Sequence, residues 1–277
     1  MEHSAGGPPV KPKVLGPDSP AQASPLASFF RGLMPCRTPV DKAVYVLVFF
    51  GCVFYVLCES GVLRFRHLPS FSCDDTLIRK AKLPEIVPTL VLIPFVLIVP
   101  PIFLTLLELR TVGLSMDRPF NAGRVLRRYL CGLVVVVIVV QVLKEAVLEK
   151  RPHFIDACRP VRPGDRNGTL VCDYSRKGVL VTSYECTGKK GHRAFTSFPS
   201  GHACTATYSS LFVIGYLERR AVNPWTRYTL MVLWMGLGTF VSVSRIWDHM
   251  HYWWDVVVGA AMGSVFALAT LTWPERL

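Results

Sequence analysis

The chain has 277 residues, of which 51% are hydrophobic and only 18% are charged. This balance excludes an ordinary soluble domain and indicates a polytopic membrane protein. The formal net charge of +12 does not indicate a nucleic-acid partner, because the Lys and Arg residues lie in a tail and several loops and form no basic surface interleaved with aromatic residues.

The N-terminal segment, residues 1–42, is rich in Pro, Ser, Gly and Ala with scattered Lys and Arg. This composition predicts a disordered tail. The apolar run that follows lies too far inside the chain, and is too long, for an ordinary cleaved signal peptide. We therefore interpret it as a signal anchor that forms the first membrane span.

Apolar runs recur along the rest of the chain, and a spanning helix needs about 20 mostly apolar residues. The predicted fold is all-α, with a six-helix membrane domain over 43–273 and a short C-terminus at 274–277. The fourth and fifth runs are short, but polar groups at their ends suit a cavity or a protein interior. The predicted spans are 43–62, 86–107, 129–148, 203–217, 228–243 and 252–273.

With six spans, the connections after the first, third and fifth helices lie on one face of the membrane, and both termini lie on the other. Two short connections on the side of the termini carry Arg clusters, at 110–128 and 219–227. By the positive-inside rule this side is cytoplasmic. The opposite face is then extracellular or lumenal.

The first and third connections contain four Cys and a glycosylation signal. An oxidising compartment permits one or two disulfides among these cysteines, with the pairing open, and buried free thiols are the alternative. Asn167-Gly168-Thr169 is an acceptor triplet for N-glycosylation when it is exposed to the secretory lumen. The cysteines are Cys73, Cys158, Cys172 and Cys186.

Two clusters of polar residues flank the third connection. Lys144 and Arg151 are seven residues apart, so both side chains point the same way if the helix continues to the residue before Pro152. Alternatively, they are cations that snorkel to the interface. In FPSGHA, Ser200-Gly201 precedes a predicted helix and offers backbone N–H groups to an anion, with His202 beside them, although an ordinary helix start fits equally well.

The third cluster, SRIWDHMHYWWD, begins at Ser244 and ends at Asp255. His251 and Asp255 are four residues apart, so on the helix that enters the sixth span the carboxylate can hold one imidazole nitrogen and leave the other free. Asp248 and His249 are nearby alternatives. The aromatic residues of this stretch fit an interfacial belt; they are Trp247, Tyr252, Trp253 and Trp254.

All three clusters lie on the same predicted face and together supply three cations, an anion-binding helix start and two histidines. A phosphate monoester requires cations around its non-bridging oxygens, an in-line nucleophile and an acid for the leaving alkoxide. A metal site built from Asp248, His249, His251 and Asp255 is disfavoured, because the neighbouring cations repel a metal ion. A Ser200 hydrolase is disfavoured because the sequence has no nucleophile elbow.

Three ordered motifs resemble the signature of the type 2 phosphatidic acid phosphatase superfamily, in particular its animal branch of integral-membrane lipid phosphate phosphatases. The stretches RPHFIDAC and FSCDDTLIRK, the sequon-bearing loop and the six spans extend this likeness over nearly everything except the tail. The motifs are Lys144-x6-Arg151-Pro152, Pro199-Ser200-Gly201-His202 and Ser244-Arg245-x5-His251-x3-Asp255.

The resemblance implies a catalytic core at the extracytoplasmic ends of helices 3 to 6. There His251 attacks phosphorus to form a phosphohistidine, and Asp255 orients it and stabilises the imidazolium. His202 protonates the leaving oxygen and then activates the water that hydrolyses the intermediate. The implied phosphate-binding residues are Lys144, Arg151, Ser200, Gly201 and Arg245.

The resemblance also implies that no metal or other cofactor is needed. The implied substrates are phosphatidate, lysophosphatidate, sphingosine 1-phosphate and ceramide 1-phosphate, in contact with the bilayer. The expected location is the plasma membrane with an extracellular site, or endomembranes with a lumenal one, and a homo-oligomer is expected from the family alone.

The sequence departs from this family at two places. Relatives commonly carry Gly-Arg where this chain has Leu148-Glu149, which removes one accessory phosphate contact and bears on substrate preference. The second motif begins with Pro199, where many animal relatives have Tyr. The alternative functions are a catalytically silent protein that binds lipid phosphates or acts as a scaffold, and phosphotransfer to another lipid.

Overall fold

The computed structural model describes residues 39–60, 62, 68–112, 122–165, 169–172, 178–189, 191–220 and 222–272. Most of these residues are helical. The predicted disordered tail, apart from its last four residues, lies outside the described residues, as do Asn167 and the C-terminus at 274–277. The helices are α1 (Pro39–Glu59), α2 (Thr89–Val112), α3 (Ala122–Val147), α4 (Phe154–Cys158), α5 (Gly201–Glu218), α6 (Pro224–Trp247) and α7 (Trp253–Thr272).

Four of these helices, α2, α3, α6 and α7, are long and apolar enough to cross a membrane, which makes the chain a multi-pass membrane protein. They coincide with the second, third, fifth and sixth predicted spans. Helix α5 lies at the fourth, has 18 residues and is largely buried among the other helices. Helix α1 begins at Pro39, within the predicted tail. Among its described residues, Phe49–Cys58 forms an apolar stretch that is shorter than a full membrane span.

Helix α3 ends at Val147, within one residue of the end of the predicted span at 148. Leu148 has a left-handed backbone with φ 52°, and its N–H donates to the Lys144 carbonyl at 3.1 Å, so the helix is closed off at this point. The condition for Lys144 and Arg151 to share a helical face, a helix that continues to the residue before Pro152, is therefore not met. Arg151 lies in irregular backbone beyond the end of the helix.

Helices α5 and α7 approach each other through small residues. On α7, Gly259, Gly263 and Ala267 recur at intervals of four and are buried. A Cβ at Gly259 would lie 2.5 Å from the Ser200 carbonyl oxygen, so no larger residue fits without moving the helices. This main-chain contact aligns the N-terminal ends of α5 and α7.

At the opposite ends of the helices, polar groups tie α2, α5 and α7 together. The carboxylate of Glu108, which is 2% exposed, accepts a hydrogen bond from Arg220. Arg219 donates to the Leu271 carbonyl at 2.9 Å. Both arginines directly follow α5, so its C-terminal end is anchored to two neighbouring helices.

A small layer of loops and short strands covers the end of the helices where α3 ends and α5 begins. Strand β1 (Phe71–Ser72) pairs with β3 (Leu180–Val181), and β2 (Pro160–Val161) pairs with β4 (Glu185–Cys186), both antiparallel. These four strands were not part of the all-α prediction. Aromatic rings from the first and third connections form the core of this layer; they are Phe71, Phe154, Tyr184 and Phe195.

Two disulfides hold the layer together. Cys73 of the first connection is bonded to Cys172 of the third, and Cys158 is bonded to Cys186 within the third connection. The four cysteines predicted to pair therefore do so. The alternative of buried free thiols is wrong for these positions.

The double substitution of Cys73 and Cys172 by Ser is expected to destabilise the protein by about 4 kcal/mol, because the bond closes a segment with a sequence separation of 99. Thermal unfolding of the detergent-solubilised variant should begin several degrees lower. Cys52→Ser is the matched control, since Cys52 is an exposed free thiol. An unchanged unfolding temperature in the double variant would show that the bond contributes nothing.

Candidate active site

The structure brings the first, third and fifth connections together at one end of the helices, as the parity of six spans predicts. The Lys80 N–H donates to the Pro152 carbonyl at 2.9 Å, and the Ile86 N–H donates to Asp248 Oδ2 at 2.9 Å. The first connection is thus bonded to both of the others. The residues of the three sequence motifs lie around this junction.

His251 and Asp255 are in contact, but not on a shared helical face. Helix α7 begins at Trp253, so His251 precedes it, and the predicted helical geometry is wrong. His251 Nδ1 nevertheless lies 3.5 Å from Asp255 Oδ2, because Asp255 reaches back from the first turn. The same carboxylate oxygen accepts hydrogen bonds from the Tyr252 N–H at 3.0 Å and from Ser197 Oγ at 2.6 Å.

The environment of His251 favours a neutral imidazole. The side chain is buried, at 3% exposure. Burial lowers the pKa of His251 well below its usual value, and the nearby positive charges of Arg151, Lys144 and Arg245, followed by His202, lower it further. With Nδ1 facing Asp255, Nε2 is the ring nitrogen left for chemistry.

The second motif forms the N-terminal end of α5. Ser200 is its N-cap: Oγ accepts a hydrogen bond from the Ala203 N–H at 3.4 Å, and its own N–H donates to the Asp255 carbonyl at 3.1 Å. The Ser200 hydroxyl therefore acts as an ordinary N-cap, as expected for an ordinary helix start. His202 lies in the first turn, and its Nε2 is buried with no hydrogen-bond partner among the described residues.

Lys144 and Arg151 both reach this site, although they do not share a helix. Lys144 Nζ lies 3.8 Å from the point where a Cβ would stand on Gly201, so it packs against the start of α5. Arg151 contacts Thr196, with Nη2 at 3.4 Å from both the carbonyl oxygen and Oγ1. These contacts place two cations beside the two histidines.

Arg245 is the most deeply buried of the three cations, at 1% exposure. It donates to the Val87 carbonyl at 2.8 Å and to Glu85 Oε2 at 3.0 Å. Asp248 Oδ2 lies 3.4 Å from its guanidinium. The backbone carbonyl of Arg245 also accepts a hydrogen bond from the N–H of His251 at 3.1 Å. Arg245 therefore helps to hold the backbone of the candidate nucleophile.

The residues proposed as an alternative metal site do not converge. Asp248 accepts from the Ile86 N–H, and His249 Nδ1 lies 3.1 Å from the Ala81 carbonyl. Within the described part of the chain, no group of three or more His, Cys, Asp or Glu side chains could hold a metal ion.

The aromatic residues of the third motif divide into two sets. Trp247 and Trp253 are exposed, which fits the predicted interfacial belt. Tyr252 stacks on Trp254 with ring centroids 4.4 Å apart. This stacked pair belongs to the site, since Tyr252 also binds Asp255 through its N–H.

Three polar residues make contacts in the site that the sequence does not indicate. Ser197 binds Asp255, Glu85 binds Arg245, and Glu149 accepts a hydrogen bond from the Trp254 indole at 3.0 Å. Glu149 was noted only as a departure from relatives. Each of these contacts joins segments far apart in the chain, so neither local spacing nor helical periodicity indicates them.

Comparisons with known proteins show the family of this chain. The family model described as PAP2 superfamily matches residues 125–277, which is more than half of the chain and includes all three motifs. Phospholipid phosphatase 1 of Mus musculus is 28% identical over 81% of this chain and 82% of its own length. Phospholipid phosphatase 2 of Bos taurus is 24% identical over 82% of each chain.

A shorter match gives the same family relationship. A putative phosphatidate phosphatase of Drosophila melanogaster is 26% identical over 54% of this chain and 41% of its own length. The family model covers the segment that contributes every candidate catalytic and phosphate-binding residue described above. This chain therefore belongs to the PAP2 superfamily.

Proposed function

We propose that the chain hydrolyses lipid phosphate monoesters through a phosphohistidine intermediate on His251. The observation that carries this proposal is a buried histidine, held 3.5 Å from Asp255, whose charged neighbours are Lys144, Arg151 and Arg245. Three cations around one neutral nucleophile suit the charged oxygens of a phosphate dianion better than an acyl or glycosyl group.

The proposed reaction has two steps. Nε2 of His251 attacks phosphorus, and the bond between phosphorus and the lipid oxygen breaks as His202 donates a proton to that oxygen. The bound phosphate supplies the negative charge that favours a proton on His202. Water then attacks the phosphohistidine, His202 takes the water proton, and the P–N bond breaks to release inorganic phosphate.

The remaining residues hold the phosphate and the nucleophile in place. Asp255 fixes the tautomer of His251 and stabilises the imidazolium as it forms. The cations Lys144, Arg151 and Arg245 bind the non-bridging oxygens, with the backbone at Gly201 beside them. Ser200 contributes as the cap of α5, which presents the first-turn N–H groups to the anion.

The names of the relatives, phospholipid and phosphatidate phosphatases, support substrates of this class. We propose phosphatidate, lysophosphatidate, sphingosine 1-phosphate and ceramide 1-phosphate. The two disulfides support an extracellular or lumenal site in a six-span topology with cytoplasmic termini, because such bonds persist in oxidising compartments. Plasma-membrane location, glycosylation of Asn167 and self-association remain part of this proposal.

Purified protein is expected to release phosphate from micellar phosphatidate and lysophosphatidate in the presence of a metal chelator. Metal-independent release follows because the site supplies its own cations and nucleophile. The measurement is free phosphate over time, with the fold monitored by circular dichroism. Absence of release from folded protein on all four lipid classes would favour a lipid-binding or scaffold role, and activity lost only to the chelator would favour a metal site.

A further inference from the structure

Glu149 lies directly against the proposed catalytic pair, and none of the roles above uses it. It follows the end of α3, and its backbone carbonyl accepts the Ser197 N–H at 3.0 Å. Its Oε1 accepts a hydrogen bond from the Trp254 indole at 3.0 Å. Ser197, which precedes α5, therefore fixes the backbone of Glu149, and Trp254, at the start of α7, fixes one of its carboxyl oxygens.

The second oxygen of Glu149 meets Asp255. The two carboxyl groups lie within hydrogen-bonding reach of each other. Glu149 Oε2 and Asp255 Oδ1 are both buried, and neither accepts a hydrogen bond from an N–H or O–H group of the described residues. The other oxygen of each group already has donors, so Oε2 of Glu149 and Oδ1 of Asp255 are the atoms available for a contact between the two carboxyl groups.

Two ionised carboxylates cannot share such a contact, so one proton must lie between them. Asp255 Oδ2 accepts two hydrogen bonds and faces His251, whereas Glu149 accepts one hydrogen bond. A proton on Glu149 would be donated to Asp255 Oδ1. Burial, followed by the hydrogen bond to Asp255, raises the pKa of Glu149 to about 7.

We propose that Glu149 is a positioning residue that, in its protonated form, completes a Glu149–Asp255–His251 chain, and that loss of its proton slows the reaction. This inference rests on the proposed function of His251. An ionised Glu149 would repel the Asp255 carboxylate and push it out of line with the imidazole of His251. The side chains of His251 and Asp255 would both still be present, and only their alignment would change.

Different charged groups act on Glu149 and on His251. Glu149 feels Asp255, and the Tyr252 hydroxyl feels Glu149, Asp75 and Asp255. The cations act at the other end of the chain, on His251. They are Lys144, Arg151 and Arg245, joined by His202. A change of protonation near neutral pH is thus expected at Glu149, whereas His251 stays neutral over the same range.

The sign of the pH effect follows from the direction of the shift. A carboxyl group whose folded pKa is raised binds its proton more tightly in the folded protein. Its stabilising contribution is complete below the ordinary value of 4.5 and is lost as pH rises through about 7. Activity should fall as pH rises through about 7, where the protonated fraction of Glu149 declines.

Glu149→Gln tests this inference, because the amide can accept from Trp254 and donate to Asp255 at every pH. Wild-type kcat on lysophosphatidate should fall more steeply above pH 7 than that of the variant, which should exceed wild type about tenfold at pH 8. Glu149→Ala should be slow throughout. Glu185→Gln, at an exposed strand position on the same loop layer, is the control and should follow wild type.

Parallel profiles for wild type and Glu149→Gln would overturn the inference, as would equal inactivity of the Gln and Ala variants. A second measurement does not depend on activity. Difference infrared spectra between pH 6 and pH 8 should show loss of a protonated carboxyl band in wild type and no such change in Glu149→Gln. If wild type hydrolyses nothing at pH 6 but shows this band, the proposed function fails and the shared proton stands; if the band is absent, the shared proton fails.

Discussion

Replacing His251 by Ala is expected to reduce phosphate release from lysophosphatidate by about 10⁴-fold or more, as removal of a covalent nucleophile does in other hydrolases. Ala leaves the three cations in place, so lipid phosphate should still bind. The loss should therefore appear in kcat rather than in KM. Initial rates over a range of micellar substrate concentrations measure both.

A chemical trap distinguishes the loss of a nucleophile from the loss of a binding residue. Brief exposure of wild type to substrate labelled at phosphorus should leave label on the protein that survives alkali and is released by acid, as a phosphoramidate is. His251→Ala should acquire none. The matched control is His249→Asn, because His249 has φ 55° and Asn tolerates that backbone; it should retain both label and activity.

Substitution of Asp255 by Asn is expected to lower kcat by about 10⁴-fold, which is the size of the effect in the serine protease triad. Asn carries no charge to stabilise the imidazolium and no longer fixes the tautomer of His251. Ser197→Ala removes just one of the donors to Asp255 Oδ2 and should cost roughly tenfold. Measured kcat values within tenfold of wild type for Asp255→Asn would show that His251 acts without its carboxylate.

The three motifs identify the site from sequence because their chemistry is carried by residue types that are costly in a membrane protein. Arg245, Asp255 and His251 are all buried, and such groups are retained at membrane depth only with partners or a function. The parity of the helices then predicts that they meet. The disulfide cysteines were predictable because all four lie in connections on one predicted face, which suits an oxidising compartment, although their pairing was not.

Local geometry is what the sequence could not supply. Nothing in Leu148 signals the left-handed backbone that ends α3, because Leu normally favours a helix. His251 lies outside α7 because Asp255 caps the helix from within its first turn. Partners such as Glu85 and Glu149 come from other connections, so their contacts depend on the tertiary fold rather than on local pattern.

The six-span prediction illustrates a further limit. Helix α5 is short and contains small and polar residues, because protein rather than lipid surrounds most of it. An apolar count therefore undervalues a helix that lies at the centre of the bundle. The same burial explains why its polar N-terminal end can carry His202 and the cap at Ser200.

The contact between α5 and α7 bears on how the site responds to its surroundings. These helices meet through main-chain atoms at Gly259 and Gly263, so no flexible side chain sets the spacing between them. A bilayer of different thickness changes the tilt of single helices, but this pair can tilt only as one body. We therefore expect the distance from His202 to the residues held at the start of α7 to change little between membranes of unequal thickness.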